Sequence, residues 1–331
     1  MLRINLIAWD NGVGLSRDLV LLGAALAAAG ASVTCTRRGR GGLRKLARPL
    51  KVYVQTKWHV LRHGSRVPRF DLNIMLEHVW PEYLGWARHT AFIPNPEWCQ
   101  ASDIALLDRV AIVLAKTRET VRIFAARGCR AEFIGFTSAD RLDRGVARTR
   151  AFFHLAGRSQ NKGTEALLAL WRTHPQWPAL TVVQSPRTAQ PGAPAANIRH
   201  IIDYLSDGDL KRLQNEHRFH LCPSETEGFG HYIVEAMSIG ALAVTVDATP
   251  MNELVQPERG MLVAAARSGT QNLATTHYFD AAAMERAIVR MIAMDDTELD
   301  RLGSAARAWF ETNHAQFPQR LMPVLRAFEA S

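Results

Sequence analysis

Residues 3–36, RINLIAWDNGVGLSRDLVLLGAALAAAGASVTCT, open the chain with a short apolar run, a glycine loop, a long apolar stretch and a second short run. Residues 3–9 read as a strand, Asp10-Asn11-Gly12-Val13-Gly14 as a loop, and Ser16 as the N-cap of a helix ending at Gly30. The strand-like Ala31-Ser32-Val33-Thr34-Cys35-Thr36 follows. Strand, glycine loop, helix, strand is how a parallel α/β domain begins, since parallel neighbours need a long crossover and a helix supplies it. Leu19 to Thr36 carries no charge and is long enough to raise a membrane-spanning reading. Its Ala and Gly content, and the break at Gly30, favour a buried helix followed by a strand.

Working outward, further strands are expected at 71–76, 90–93, 110–114 and 132–136, with a helix from Thr117 to Arg127. The opening pattern then restarts: strand at 152–156, loop from Gly157 to Gly163, helix from Thr164 to Trp171. Strands follow at 180–183, 198–202, 219–222, 242–246 and 261–263, and helices at 207–215, 230–239, 281–293 and 297–312. The fold class is therefore α/β, with two Rossmann-like domains facing across a cleft. The expected division is a first Rossmann-like domain 1–148, a second 149–312, and a tail 313–331.

The 331 residues suit two domains, and an apolar share of 47 % excludes general disorder. Residues 1–150 hold 24 Lys and Arg against 12 Asp and Glu, and the remainder 16 against 19. The basic half is expected to meet something anionic. Cys35, Cys99, Cys129 and Cys222 are too far apart for a zinc knuckle and fit a reducing compartment. His59/His63 and His217/His220 stand at separations that can share a helix face, without clustered carboxylates or cysteines, and read as surface or packing residues rather than metal ligands. The start, MLRINLIAW, is too short an apolar run for a signal peptide, so the expectation is a soluble cytoplasmic protein.

Residues 222–254, CPSETEGFGHYIVEAMSIGALAVTVDATPMNEL, are the stretch with the most chemistry. Glu227 precedes Gly228-Phe229-Gly230 and then His231, and Glu235 lies eight residues beyond Glu227. Glycines before a helix let backbone N–H groups approach a ligand, and the helix N-terminus suits a phosphate or a sugar hydroxyl. Eight residues span ~12 Å if wholly helical. This segment resembles the signature of glycosyltransferase family 4 (group 1), enzymes of the two-domain GT-B type. The resemblance implies that Glu227 contacts donor-sugar hydroxyls and Glu235 holds the ribose. It also implies that the amides of Gly228, Phe229, Gly230 and His231 face the sugar or the phosphates.

Upstream, Gly157-Arg158-Ser159-Gln160-Asn161-Lys162-Gly163 follows a strand and opens a helix. Two cations there would neutralise a diphosphate and the charge building on a leaving group. The loop is similar to the family's G-R-x-x-x-x-K-G, one residue shorter between Arg158 and Lys162. Tyr204 and Leu205, within Asp203–Asp207, resemble the segment that contacts the nucleobase mainly through its main chain. Pro250-Met251-Asn252 and His231 depart from the family pattern.

In the first half, Gly14 closes a loop able to approach donor phosphates, although Arg17 stands where a dinucleotide fingerprint needs its third glycine. Glu77-His78 ends a strand, and His78 is the candidate base or hydrogen-bond partner for the acceptor, with Asn95-Pro96-Glu97 at the same edge. The basic run 37–51 has two readings, a contact with an anionic membrane or lipid-linked acceptor, or a solvated loop. Nucleic acid is not expected, because no binding module accompanies the charge.

The resemblance implies a retaining transfer from a nucleotide-sugar to a glycan or lipid-linked acceptor, with no cofactor and no obligatory metal, in surface-polysaccharide or lipopolysaccharide assembly. An epimerase or phosphorylase of the same architecture, an NAD-dependent oxidoreductase and a catalytically silent subunit remain as rivals.

Overall fold

The computed structural model describes residues 1–10, 12, 14–38, 42–64 and 68–329, the side chains of 42–49, 60 and 63 excepted. The chain divides into two compact units, Met1–Thr137 with His314–Ser331, and Ser138–Asn313. The boundaries expected from the sequence fall after 148 and 312.

The first unit runs β1 (Arg3–Trp9), α1 (Gly14–Ala28), β2 (Ser32–Arg38), α2 (Gly42–His63), β3 (Phe70–Leu76), β4 (Ala87–Ile93), the single turn α3 (Ala101–Ile104), β5 (Ile112–Ala115), α4 (Arg118–Ala125) and β6 (Ala131–Phe133). The strands form one parallel sheet in the order β2-β1-β3-β4-β5-β6. Its centre is apolar apart from one buried amide pair: Ile4, Leu6, Ile7 and Ala8 of β1, and Leu72, Ile74, Met75 and Leu76 of β3, are buried, and between them Asn5 Nδ2 donates to Asn73 Oδ1 at 3.1 Å. Burial of this kind stabilises by about 1.5–3 kcal/mol per large apolar side chain, and strands covered on both faces read as near-continuous hydrophobic runs.

Two local expectations change in this unit. Helix α1 begins at Gly14, so Ser16 lies inside it and does not cap it. The Ser16 hydroxyl serves the loop instead, accepting from the Gly12 amide at 2.8 Å and donating to Asp10 Oδ1 at 2.7 Å. Residues 42–51 of the basic run belong to α2 and are not a loop, while 39–41, the side chains of 42–49, and Asn11 and Val13 of the glycine loop lie outside the described residues.

The second unit runs β7 (Thr149–Gly157), α5 (Thr164–Arg172), β8 (Leu180–Gln184), β9 (Ile198–Ile202), α6 (Asp207–Glu216), β10 (His217–Cys222), α7 (His231–Ser238), β11 (Leu242–Val246), α8 (Met251–Leu254), β12 (Met261–Val263), β13 (Ala265–Gln271), β14 (Ala274–Phe279) and α9 (Ala281–Ala293), and α10 (Asp296–Glu329) belongs to it up to Asn313. Its parallel sheet has the order β12-β11-β10-β7-β8-β9, and β13-β14 form a separate antiparallel hairpin. The core gathers Phe152, Phe219 and Trp171, with ring centroids of Phe152 at 5.0 Å from Trp171 and 4.8 Å from Phe219.

His217 and His220 sit on β10 and so cannot share a helix face. Both are buried packing residues: His217 bonds to Leu213 O at 2.7 Å and Thr181 Oγ1 at 3.0 Å, and His220 donates to Gln214 O at 3.0 Å. The expected break between a helix 297–312 and a tail is absent, since α10 continues through Pro318 and Pro323 to Glu329. Its last turns pack in the first unit, where Phe317 lies 4.9 Å from Phe136 and the Arg320 side chain donates to Ile134 O at 2.8 Å. Those contacts offset the hydrogen bonds that two prolines remove.

Candidate functional site

In the second unit the chain lays down β7, moves outward through β8 and β9, then returns to place β10 on the other side of β7. The crossovers on the two sides of this point run in opposite directions, which leaves a crevice beyond the carboxyl ends of β7 and β10. The loops that follow those two strands, 158–163 and 223–230, carry the two motifs singled out in the sequence.

Lys162, from the first loop, donates to Glu227 Oε1 in the second, and the two side chains are only 14 % and 12 % exposed. Ser224 Oγ donates to the same carboxylate oxygen and receives the Tyr232 hydroxyl at 2.5 Å. The Lys162 ammonium also stands 3.9 Å from the centroid of the Tyr232 ring. Burial pushes the Tyr232 phenol well above its ordinary range, so it stays a neutral donor. The backbone ties the loops together as well, the Glu225 amide donating to Asn161 O at 2.9 Å.

Glycine is required where these loops turn into helices. Gly163 has φ +63°, and a Cβ there would lie 2.7 Å from Pro223 O. Gly230, with φ +104°, leads into α7 where a Cβ would meet Leu254 at 2.9 Å. Gly163→Ala is therefore expected to cost about 2 kcal/mol or more through the left-handed backbone and the clash. That corresponds to a fall of roughly 4–8 °C in Tm, read in a thermal melt; an unchanged Tm would mean that Pro223 can step back.

The other sequence candidates fall into two neighbouring groups. The Arg158 guanidinium lies 4.8 Å from the Tyr204 ring centroid, and the Tyr204 hydroxyl meets Ser185 Oγ at 2.9 Å. These residues follow β7, β9 and β8 respectively, at the same end of the sheet. Leu205 packs against Phe153, Val183 and Leu213, so what it offers a ligand is main chain. Glu235 is buried on α7, where Gln214 donates to its Oε2 at 2.9 Å. Arg141 in turn donates to Gln214 Oε1 at 2.8 Å and to both carboxylate oxygens of Asp207 at 2.8 and 2.9 Å. Only residues from His231 onward are helical, so the Glu227–Glu235 separation is not that of a continuous helix. The buried Phe229 ring meets His231 edge-on at 5.3 Å, and His231 Nδ1 pairs with Ser138 Oγ at 2.7 Å.

The sequence reading passed over the hairpin β13-β14, which reaches both loops. Gln271 accepts from Asn161 Nδ2 at 2.8 Å, and the His277 amide donates to Glu225 O at 2.7 Å. Burial raises the Glu225 carboxyl, against the opposing pull of the Arg267 charge and the Tyr278 hydrogen bond. Arg141 and Gln214 lie outside the motifs legible in the sequence, and Ser224 lies inside one without a role assigned to it.

Residues 195–309 match the family model described as glycosyl transferases group 1. No curated protein sequence matches the chain. Among solved structures, sucrose-phosphate synthase from Thermosynechococcus elongatus superposes with a TM-score of 0.72 at 17 % identity, over 100 % of both chains. Anabaena HepE, crystallised with UDP-glucose, gives 0.70 at 16 % identity over 99 % of this chain and 100 % of its own. The lipopolysaccharide outer core galactosyltransferase WaaB gives 0.63 at 11 % identity over 98 % and 99 %.

The fold is GT-B.

The N-terminal GT-B unit has its own switch point, since β2 and β3 lie on opposite sides of β1. Gly14 opens α1 there, and Glu77-His78 follow β3. Glu77 holds φ 66°, a strained setting for a residue with a Cβ. His78 Nδ1 meets Asp103 Oδ2 at 2.9 Å. Burial disfavours the imidazolium, but the Asp103 hydrogen bond with the charges of Asp103 and Glu77 outweighs it and raises the His78 pKa. Glu77 is itself raised, chiefly by burial. A buried ion pair, Lys116 to Asp18 at 3.0 Å, lies in the same unit.

Proposed function

We propose that this protein is a retaining, metal-independent glycosyltransferase that moves a sugar from a nucleotide-sugar to a glycan or lipid-linked acceptor. The setting that suits it is the cytoplasmic side of surface-polysaccharide or lipopolysaccharide assembly. The Lys162–Glu227 pair at the switch point carries this reading. At rest each charge neutralises the other, which keeps two ions tolerable in a half-enclosed crevice. A donor diphosphate competes for Lys162 and Arg158, and the released Glu227 carboxylate then accepts from donor-sugar hydroxyls.

In the transfer, the bond between the anomeric carbon and the diphosphate oxygen breaks, and the electron pair leaves with the diphosphate. The acceptor hydroxyl oxygen bonds that carbon on the same face and gives its proton to the departing phosphate oxygen. Lys162, Arg158 and the amides of Gly228 to His231 stabilise the charge that builds on the leaving group. Glu235 receives the ribose, Tyr204 and Leu205 line the base, Gly14 approaches the phosphates, and His78 serves the acceptor. The roles of Arg158, Lys162, Glu227 and Glu235 rest on the family resemblance of their motifs, supported by the convergence of the two loops at one sheet edge, whereas those of Gly14 and His78 rest on their places before α1 and after β3.

The test is thermal stabilisation by UDP, GDP, CMP, dTDP and NAD, with Glu235→Ala alongside and each protein compared with its own unliganded Tm. A nucleotide at 100 times its Kd adds about 2.7 kcal/mol, and each kcal/mol moves Tm by roughly 2–4 °C in domains of this size. UDP is the first choice because HepE was crystallised with UDP-glucose. Stabilisation by one nucleoside diphosphate, weakened in Glu235→Ala, is the expected result, followed by NMR showing retained anomeric configuration in the product. Stabilisation by NAD alone would replace the reading with an oxidoreductase, and none at all with a silent subunit.

A further inference from the structure

Helix α2 buries one side and leaves the other without a partner among the described residues. Val52 is buried, and Thr56 accepts from Trp86 Nε1 at 2.8 Å, which fixes the inward face. On the opposite side Leu50, Tyr53, Val54, Trp58 and Leu61 are 66 %, 59 %, 56 %, 58 % and 85 % exposed. Their positions, i, i+3, i+4, i+8 and i+11, put them on one stripe along the helix. Isolated exposed apolar residues need no explanation, but five on one stripe of a surface helix do.

The charge along this stretch of chain is of one sign. From residue 19 to residue 70 there is no Asp or Glu, while 37–69 contains eleven Lys and Arg. Lys51, Lys57 and Arg62 are exposed beside the stripe. The Lys57 ammonium stands 5.5 Å from the Tyr53 ring centroid, and the Arg62 guanidinium 4.3 Å from that of Trp58. Aromatic rings with a cation beside them suit a lipid headgroup layer, where the ring lies at the acyl boundary and the charge among phosphates. No helix among the described residues is long and apolar enough to cross a membrane.

We propose that the outer face of α2 docks on the surface of an anionic lipid bilayer, lying in its plane with Leu50, Tyr53, Val54, Trp58 and Leu61 inserted. Lys51, Lys57 and Arg62 hold the lipid phosphates. This docking is independent of the transferase reading and requires no sugar chemistry.

Flotation of the full chain with vesicles tests it, using phosphatidylcholine alone and phosphatidylcholine mixed with phosphatidylglycerol. Binding to the mixed vesicles, weak on phosphatidylcholine and reduced by salt, is expected. The double substitution Trp58→Ser with Leu61→Ser should weaken it at least tenfold. The triple substitution of Lys51, Lys57 and Arg62 by Gln should weaken it by about a hundredfold. All five side chains are exposed, so melting temperature should hold in both variants and separate lost docking from lost folding. Three results would overturn the proposal: no binding to mixed vesicles, binding that ignores Trp58 and Leu61, or a dimer in solution that Leu61→Ser dissolves. The second would leave a mere polycation, and the third would make a second copy of the chain the occupant.

Discussion

Lys162→Met is expected to lower kcat for sugar transfer by about two to three orders of magnitude, the usual effect of removing a charge that stabilises a leaving group. It also strands Glu227, whose carboxylate is 12 % exposed and keeps Ser224 as its remaining partner. Breaking a buried ion pair from one side is costlier than removing both charges, so the single variant should lose up to about 3 kcal/mol of stability. Adding Glu227→Gln removes the stranded charge. The double variant should recover most of that stability and none of the activity. Melting curves and initial rates on the four proteins of the cycle separate the two roles. Activity returning together with stability would show that the pair only holds the loops in place, and the donor-binding role would fall with it.

The second large effect concerns acid. His154 is fully enclosed, its Nδ1–H donating to Leu221 O at 2.8 Å and its Nε2 accepting from Thr164 Oγ1 at 2.8 Å. Burial first, with the Lys162 charge adding, pulls its pKa from 6.5 down to about 4. His220 is pulled to about 3, again mainly by burial. A depressed histidine pKa means that the unfolded chain binds the proton more readily than the native one. Stability is then complete above pH 6.5 and falls as the pH drops through the window toward 4, by about 3 kcal/mol for His154 alone. His78 works in the opposite sense: its raised pKa gives stability below its ordinary value that is lost as pH rises through the folded one. The difference between wild type and His154→Gln therefore isolates the effect. The variant should show a shallower decline in Tm between pH 6.5 and 4. Parallel declines would mean that His154 accepts its proton in place.

Most of the two sheets was legible because buried parallel strands are apolar on both faces and stand out without periodicity. Residues 3–9, 198–202, 242–246 and 261–263 are strands over the expected ranges, and helix 281–293 has the expected bounds. Hairpin β13-β14 was missed because Ala265–Gln271 is mostly exposed and small or polar, so cross-strand pairing rather than burial orders it. Helix α2 was missed because Pro49 and the cations of 44–51 mask its apolar spacing.

By itself the sequence determined the two α/β units and the loops that hold the two motifs, since both follow from hydrophobic runs and from glycine placed before helices. It also placed Arg158, Lys162, Glu227 and Glu235 in those loops and helices. Only the tertiary structure decided which of them meet. Strand order, set by long-range pairing, puts the loop after β7 beside the loop after β10, and so brings Lys162 to Glu227 across 65 positions of chain. The same packing ties Glu235 to Gln214 and Arg141, and turns one face of α2 outward; no local pattern records a partner that arrives from elsewhere in the fold.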